Sequence, residues 1–119
     1  MQDVLKHALD GMDLRRPEEW VGRVAWQPFR DGVEIHRLYG NGSAGPSAVL
    51  LKFQPGGKIP RHLHEGFEHI LVLSGSQVDD FGEVKTGELR IHLPGSAHSV
   101  SSAAGCLVLA IYERPGAFS

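Results

Sequence analysis

Three of the seven histidines of this 119-residue chain lie within eight positions, in GGKIPRHLHEGFEHILVLSGS, residues 56–76. Side chains alternate along a strand, so His62 and His64 project from one face with their Cα atoms about 6.6 Å apart. Two imidazoles at that spacing can converge on one metal ion with bonds of about 2.0–2.1 Å. The EGF that follows lets the chain turn, and Glu68 opens the next apolar run, EHILVL. If that run pairs beside the first, the Glu68 carboxylate reaches the same ion. His69 comes next and faces the other way, so it is excluded. A metal with two imidazoles and one carboxylate wants a further ligand. The best remaining candidate is His98 in LPGSAHSVSS, where a Pro-Gly turn could aim a strand back at the site. His92, in ELRIHL, alternates with Leu89, Ile91 and Leu93, which read as a buried face, so it is expected to point outward or toward a partner. His36 and His7 read as exposed or hydrogen-bonded histidines.

The elements that must position these residues are short strands. VGRVAW, VEIHRLY, SAVLLKF, FEHILVL, ELRIHL and CLVLAIY are rich in β-branched, aromatic or leucine residues. Between them lie DG, GNGSAGPS, QPGG, SGS, DDFGE, PGS and AAG, stretches whose glycines and prolines suit tight reversals. Such even spacing predicts an all-β sandwich or barrel. Only the first part of the chain differs. DVLKHALDGM carries Val4, Leu5, Ala8, Leu9 and Met12 at roughly helical spacing, with Asp3 as a possible N-cap and Gly11 near the end. This gives an N-terminal arm or short helix over 1–19 and one β-domain over 20–119.

Composition narrows the classes of function. Apolar residues make up 41% and charged residues 22%, as in a globular domain. The formal charge is −2 and the basic residues are scattered, so nucleic acid is not an expected partner. The apolar runs are strand-sized and too short for a membrane span. The N-terminus has no continuous apolar segment, so no secretory leader is expected and the cytoplasm is the expected compartment. Cys106 is the single cysteine, which excludes an internal disulfide. A lone cysteine in an apolar strand reads as packing.

The clustered stretch resembles the first cupin motif, G(x)5HxH(x)3E(x)6G, with Gly56, His62, His64, Glu68 and Gly75 in place. GELRIHLPGSAH is similar to the second cupin motif, with Gly87, Gly95 and His98 in register. Two departures stand out: Pro94 falls one residue late, and Ser102 occupies a position where asparagine is common. The 11 residues from Ser76 to Thr86 between the motifs suffice for a tight hairpin. The resemblance spans roughly residues 20–114 and implies a double-stranded β-helix, or jelly-roll barrel. It also implies a divalent transition metal held by His62, His64, Glu68 and His98. HEGFEHILVLSGSQVDD and PGSAHSVSSAAGC look closest to the metal-binding domain of ChrR-type anti-sigma factors. The helical, zinc-binding domain with which those factors hold sigma has no counterpart here, so sigma binding is not carried over.

Three imidazoles and a carboxylate suit zinc, iron, manganese, nickel or cobalt, and ligand type alone does not choose among them. A closed tetrahedral zinc would be structural or sensory. An open six-coordinate Fe(II) would suit a dioxygenase acting on a small organic molecule. The expected function is thus a metal-binding cupin of sensor or small-molecule-binding type, with the dioxygenase as the alternative. Leu71 and Leu73, facing away from Ile70 and Val72, give the strand apolar residues on both faces, which predicts a homodimer.

Overall fold

The computed structural model describes residues 11–118, and within them almost all regular structure is β. The helix expected from Asp3 lies mostly outside the described residues. The chain runs from a 3-10 turn, Pro17–Glu19, into β1 (Gln27–Arg30), β2 (Val33–Tyr39), β3 (Ser47–Phe53), β4 (Gly57–Leu63) and β5 (Glu68–Asp79). Then follow β6 (Gly82–Lys85), β7 (Leu89–His92), β8 (Ala97–Ser102), β9 (Cys106–Tyr112) and β10 (Ala117–Phe118). All pairings are antiparallel.

Strand β5 belongs to two sheets. Its first part, from Glu68 to Gly75, pairs with β9 and β7 in a larger sheet ordered β1-β2-β3-β9-β5-β7. Its last residues pair with β6 and β8 in a smaller sheet ordered β6-β5-β8-β4-β10. The corner falls at Gly75, where φ is +76°, next to a bulge between Val72 and Ser74. A Cβ at Gly75 would run into the Gly105 carbonyl oxygen and Cys106, so glycine is required there both by conformation and by space. The other motif glycines, Gly56, Gly87 and Gly95, also have positive φ. The expected hairpin between the motifs is β5–β6, turning at Asp80–Phe81.

The space between the sheets is filled from alternate positions. Val33 and Ile35 of β2, Val49, Leu51 and Phe53 of β3, Ile70 and Val72 of β5, and Cys106, Val108 and Ala110 of β9 form one core with Ile59, Val84 and Val100. The opposite face of the larger sheet has its own cluster. There Leu50, Leu73 and Leu107 pack under Trp20, with Met12, Leu14, Val21, Val24 and Trp26 around them. Trp20 donates its indole N–H to the Asp13 carbonyl at 3.1 Å, so the segment is pinned as well as buried.

Two expectations are corrected. VGRVAW is not a strand: Val21–Trp26 is turns and irregular backbone, and its apolar residues lie over the sheet as a cover. The Trp26 indole N–H bonds back to the Val21 carbonyl at 3.0 Å, which closes this segment on itself; the first strand begins only at Gln27. The second correction concerns β7. Leu89, Ile91 and Leu93 are 58%, 46% and 59% exposed, whereas His92 is 3% exposed. The register aligns His92 with Glu68 and Arg90 with Ile70, both inward-facing. A one-residue shift in parity exchanges the faces of a strand, and here the polar set is the inner one. Leu71 is half-buried and Leu73 buried beneath the N-terminal segment, so neither is free on the outer face.

Candidate metal centre

The four predicted ligands come from three neighbouring strands and meet inside one end of the barrel. His62 on β4 is the register partner of His98 on β8. Glu68 is the first residue of β5. His64 lies just past the end of β4, held by its backbone to the β7–β8 turn: its N–H donates to the Ser96 carbonyl at 2.7 Å, and its carbonyl accepts from Gly95 at 2.8 Å. The Pro94–Gly95 turn therefore fixes His64 while delivering His98. One ligand atom from each of the four side chains lies within 4.8 Å of the others.

The tautomers follow from the hydrogen bonds. His62 Nδ1 lies 2.9 Å from the Pro60 carbonyl, which can only accept, so Nδ1 carries the proton and Nε2 is bare. Ser96 Oγ donates to the Leu93 carbonyl at 2.6 Å and accepts from His64 Nδ1 at 3.0 Å, which leaves His64 Nε2 bare too. His64 Nε2 faces Glu68 Oε1 at 2.8 Å, and neither buried atom has a hydrogen-bond partner. His62 Nε2 and His98 Nε2 are 3.1 Å apart. Metal bonds of about 2.0–2.1 Å place adjacent donors about 3 Å apart, so these spacings suit the edges of a coordination shell. Three imidazoles and a carboxylate converging on one point fit a divalent transition metal.

Burial disfavours the charged form of two of these rings, His62 and His98. Burial pushes the His98 pKa down to about 2, helped by the positive charge that His92, His62 and His64 would carry if protonated. His62 is lowered mainly by burial, against the opposing pull of the Pro60 carbonyl and Glu68. A neutral imidazole is the form that can bind a metal.

Behind His98 lies a layer that the sequence reading missed. Asp79, at the end of β5, is wholly buried; its carboxylate accepts from Arg90 Nη1 at 2.9 and 3.2 Å and from the Phe81 N–H at 2.8 Å. Asp79 Oδ2 is 3.8 Å from His98 Nδ1 and 3.7 Å from His92 Nε2. The His92 ring stacks on His64 at 4.6 Å and meets His98 edge-on at 4.1 Å. Asp79, His92 and His98 could themselves hold a cation. Arg90 already neutralises Asp79, however, so this group reads as support for His98. No local count signals Asp79 or Arg90: the bulge between Val72 and Ser74 and the pairing of β7 with β5 set the way they face. Gly116, before β10, is another missed residue: a Cβ there would meet His62 Cδ2 at 2.9 Å.

The remaining histidines stand apart. His69 is exposed, and His36 is half-buried with Nδ1 3.0 Å from the Ala25 carbonyl. His7 lies outside the described residues. Cys106 is buried in the core, where burial raises its thiol pKa. Ile70 and Val72 share the inner face with Glu68 and belong to the core. The cavity beside the site, about 200 Å³, is lined by Ile35, Leu51, Ile59 and Phe118 together with His62 and Glu68.

A curled antiparallel barrel with a His-x-His…Glu…His cluster inside one end is a cupin. The chain belongs to the ChrR cupin-like domain family, whose sequence profile matches residues 20–114. It is similar to a chain in the Rhodobacter sphaeroides complex of SigE with the anti-sigma factor ChrR, at 28% identity and a TM-score of 0.70 over 85% of this chain and 58% of that one. An RmlC-like cupin protein of Ralstonia eutropha shares 20% identity, with a TM-score of 0.68 over 78% of this chain and 65% of that one. The polyketide cyclase RemF of Streptomyces resistomycificus shares 24%, with a TM-score of 0.66 over 79% and 78%. This chain thus spans a little over half the length of the ChrR-complex chain. Comparison with curated protein sequences gives no match. Among the described residues no helix is long and apolar enough to cross a membrane.

Proposed function

We propose that the domain binds one divalent transition metal through His62, His64, Glu68 and His98 and uses it as a small-molecule-binding or sensor module. The observation that carries this reading is the convergence of the four side chains, with His64 Nε2 and Glu68 Oε1 buried 2.8 Å apart and neither given a hydrogen-bond partner. A bound ion would supply the missing positive charge and a Lewis-acidic centre. The protein's part is to hold the donors: Pro60 orients His62, Ser96 orients His64, and Asp79 backs His98. Elemental analysis after purification tests it. His62→Ala should lose most of the metal and His69→Ala should keep it; equal retention refutes the ligand assignment.

A second reading, an Fe(II)-dependent dioxygenase acting on a small organic substrate, is favoured by the cavity, which opens beside His62 and Glu68 and leaves room for an exchangeable position on the ion. Anaerobic loading with Fe(II), exposure to nitric oxide and electron paramagnetic resonance separate the two readings. An iron–nitrosyl signal followed by oxygen uptake with β-diketones, enols or thiols supports an enzyme. A tetrahedral zinc without water supports a sensor.

The proposal includes a homodimer in a cytoplasmic setting. Support comes from the outer face of β7 and β9, where Leu89, Ile91, Leu93 and Ile111 are exposed. Cross-strand register sets Leu89 beside Leu71 and Ile91 beside His69, which lies between Ile91 and Ile111, so the exposed apolar residues flank one histidine on the same face. Residues 1–19 are assigned as the arm and 20–119 as the barrel.

A further inference from the structure

The cavity beside the candidate metal centre carries two arginines that have no acidic partner among the described residues. Arg30, from β1, is half-buried at the mouth, its guanidinium carbon 4.4 Å from the Phe29 ring centre and 4.3 Å from that of Phe118. Two aromatic faces thus hold the group in place. One of its N–H groups donates to the Phe29 carbonyl at 2.9 Å. No carboxylate among the described residues pairs with it, which leaves most of its five donors free for a ligand. Arg37, from β2, lies at the rim on the inward side that Val33 and Ile35 occupy deeper down. Its guanidinium rests on Gly42, where a Cβ would come within 2.7–2.8 Å of Nη2, Cζ and Nη1. Arg37 also lacks a carboxylate partner among the described residues.

Charge decides what such a cavity accepts. Glu68 is the single acidic residue in its lining, against Arg30 and Arg37. With a divalent ion bound, Glu68 neutralises part of the metal's charge, and both guanidiniums remain uncompensated. Even without the ion the lining is net cationic, with two guanidiniums against one carboxylate. A low-dielectric wall of Ile35, Leu51 and Ile59 strengthens that field inside the cavity. The volume of about 200 Å³ is worth about seven water molecules at roughly 30 Å³ each, and so suits a ligand of on the order of ten non-hydrogen atoms.

We propose that this cavity binds a small organic carboxylate with an apolar body: Arg30 takes the carboxylate in a two-pronged contact, Arg37 supports it at the rim, and the apolar part lies against Ile35, Leu51 and Ile59, toward His62 and Glu68. The planar fork of a guanidinium matches a carboxylate, and such charge-assisted pairs are the strong ones. The inference deepens the small-molecule-binding reading above by naming the ligand class, and the cavity itself does not require the metal.

The test is isothermal titration of the full chain with benzoate, phenylacetate and hexanoate, each beside its neutral amide. Metal-loaded and metal-stripped protein are titrated in parallel, and the metal content of every sample is measured. At least one acid should bind saturably and more than tenfold tighter than its amide. Arg30→Gln should weaken that acid about ten- to a hundredfold and leave the amide unchanged, with metal content equal to wild type. Arg61→Gln, which removes a surface arginine paired with Asp80 at 2.6 Å, should bind as wild type does. Acid and amide binding equally, wild-type affinity in Arg30→Gln, or no saturable binding by any of the acids overturns the proposal. Wild-type protein that takes up no metal on loading yet still prefers the acids through Arg30 supports this proposal and refutes the metal reading instead.

Discussion

Asp79→Asn isolates the layer behind His98. The substitution keeps the volume of a fully buried side chain and an oxygen able to accept from the Phe81 N–H. It removes the charge that faces His98 Nδ1 at 3.8 Å and pairs with Arg90. That separation is too long for a hydrogen bond, and a closure of about 1 Å makes it one, oriented so that Nε2 is pushed toward the other donors. Loss of such a carboxylate behind a metal-bound histidine costs about 10- to 100-fold in affinity, or about 1.4 to 2.8 kcal/mol. At saturating metal that difference reappears as stabilisation the metal no longer provides. For a domain of this size it makes the metal-induced rise in Tm roughly 5–15 °C smaller than in wild type. Arg90 loses its partner in both the loaded and the stripped variant, so the comparison of the two rises removes that effect. Chelator competition on the folded protein measures the same change as Kd. A metal-induced rise indistinguishable from wild type, with an unchanged Kd, would refute the role of Asp79.

The other predictions concern packing and association. Gly116→Ala should weaken metal binding several-fold in chelator competition, because the added Cβ presses on the His62 ring, and should barely alter urea unfolding of the stripped protein. Trp20→Ala should cost about 3 kcal/mol or more in urea unfolding, since Trp20 is 9% exposed and carries the cover over Leu50, Leu73 and Leu107; metal content should be unchanged. Ile91→Asp should turn a dimer into a monomer near 13 kDa by light scattering, leaving the metal in place. A wild-type monomer at micromolar concentration would remove the dimer.

What the sequence revealed was mostly local. His62 and His64 needed only strand parity to share a face, and the positive-φ glycines of both motifs mark where the chain must turn. CLVLAIY coincides with β9 and VEIHRLY with β2 because each is bounded by turn residues on both sides. Errors arose where a pattern had two physical solutions. Leu89, Ile91 and Leu93 alternate cleanly, but alternation does not say which face is inside; the register to Glu68 does. VGRVAW has strand-like residues, yet its burial comes from lying over a sheet, which periodicity does not distinguish from joining one. Asp79, Arg90 and Gly116 reach the site only through pairings distant in sequence, beyond any local count.

The register also explains why the polar residues collect at one end. Across β2, β3, β9 and β5, Val33, Phe53, Cys106 and Gly75 lie on one cross-strand row. Its members other than the corner glycine are buried in the core. At the opposite end, Ser47, Tyr112 and Glu68 share a row, and Arg37 lies two rows inward beside Val49. Each inward series therefore changes from apolar to polar in the same direction: Val33, Ile35, Arg37 along β2, and Val72, Ile70, Glu68 back along β5. The apolar end supplies burial that does not depend on the site. The other end is then free to hold lone pairs and charges that a closed core would reject. That division obliges β7 to turn His92 and Arg90 inward, and its three apolar side chains are left on the outside as a consequence. The proposed metal centre, the proposed carboxylate cavity and the exposed apolar residues of β7 are thus three results of one choice of register.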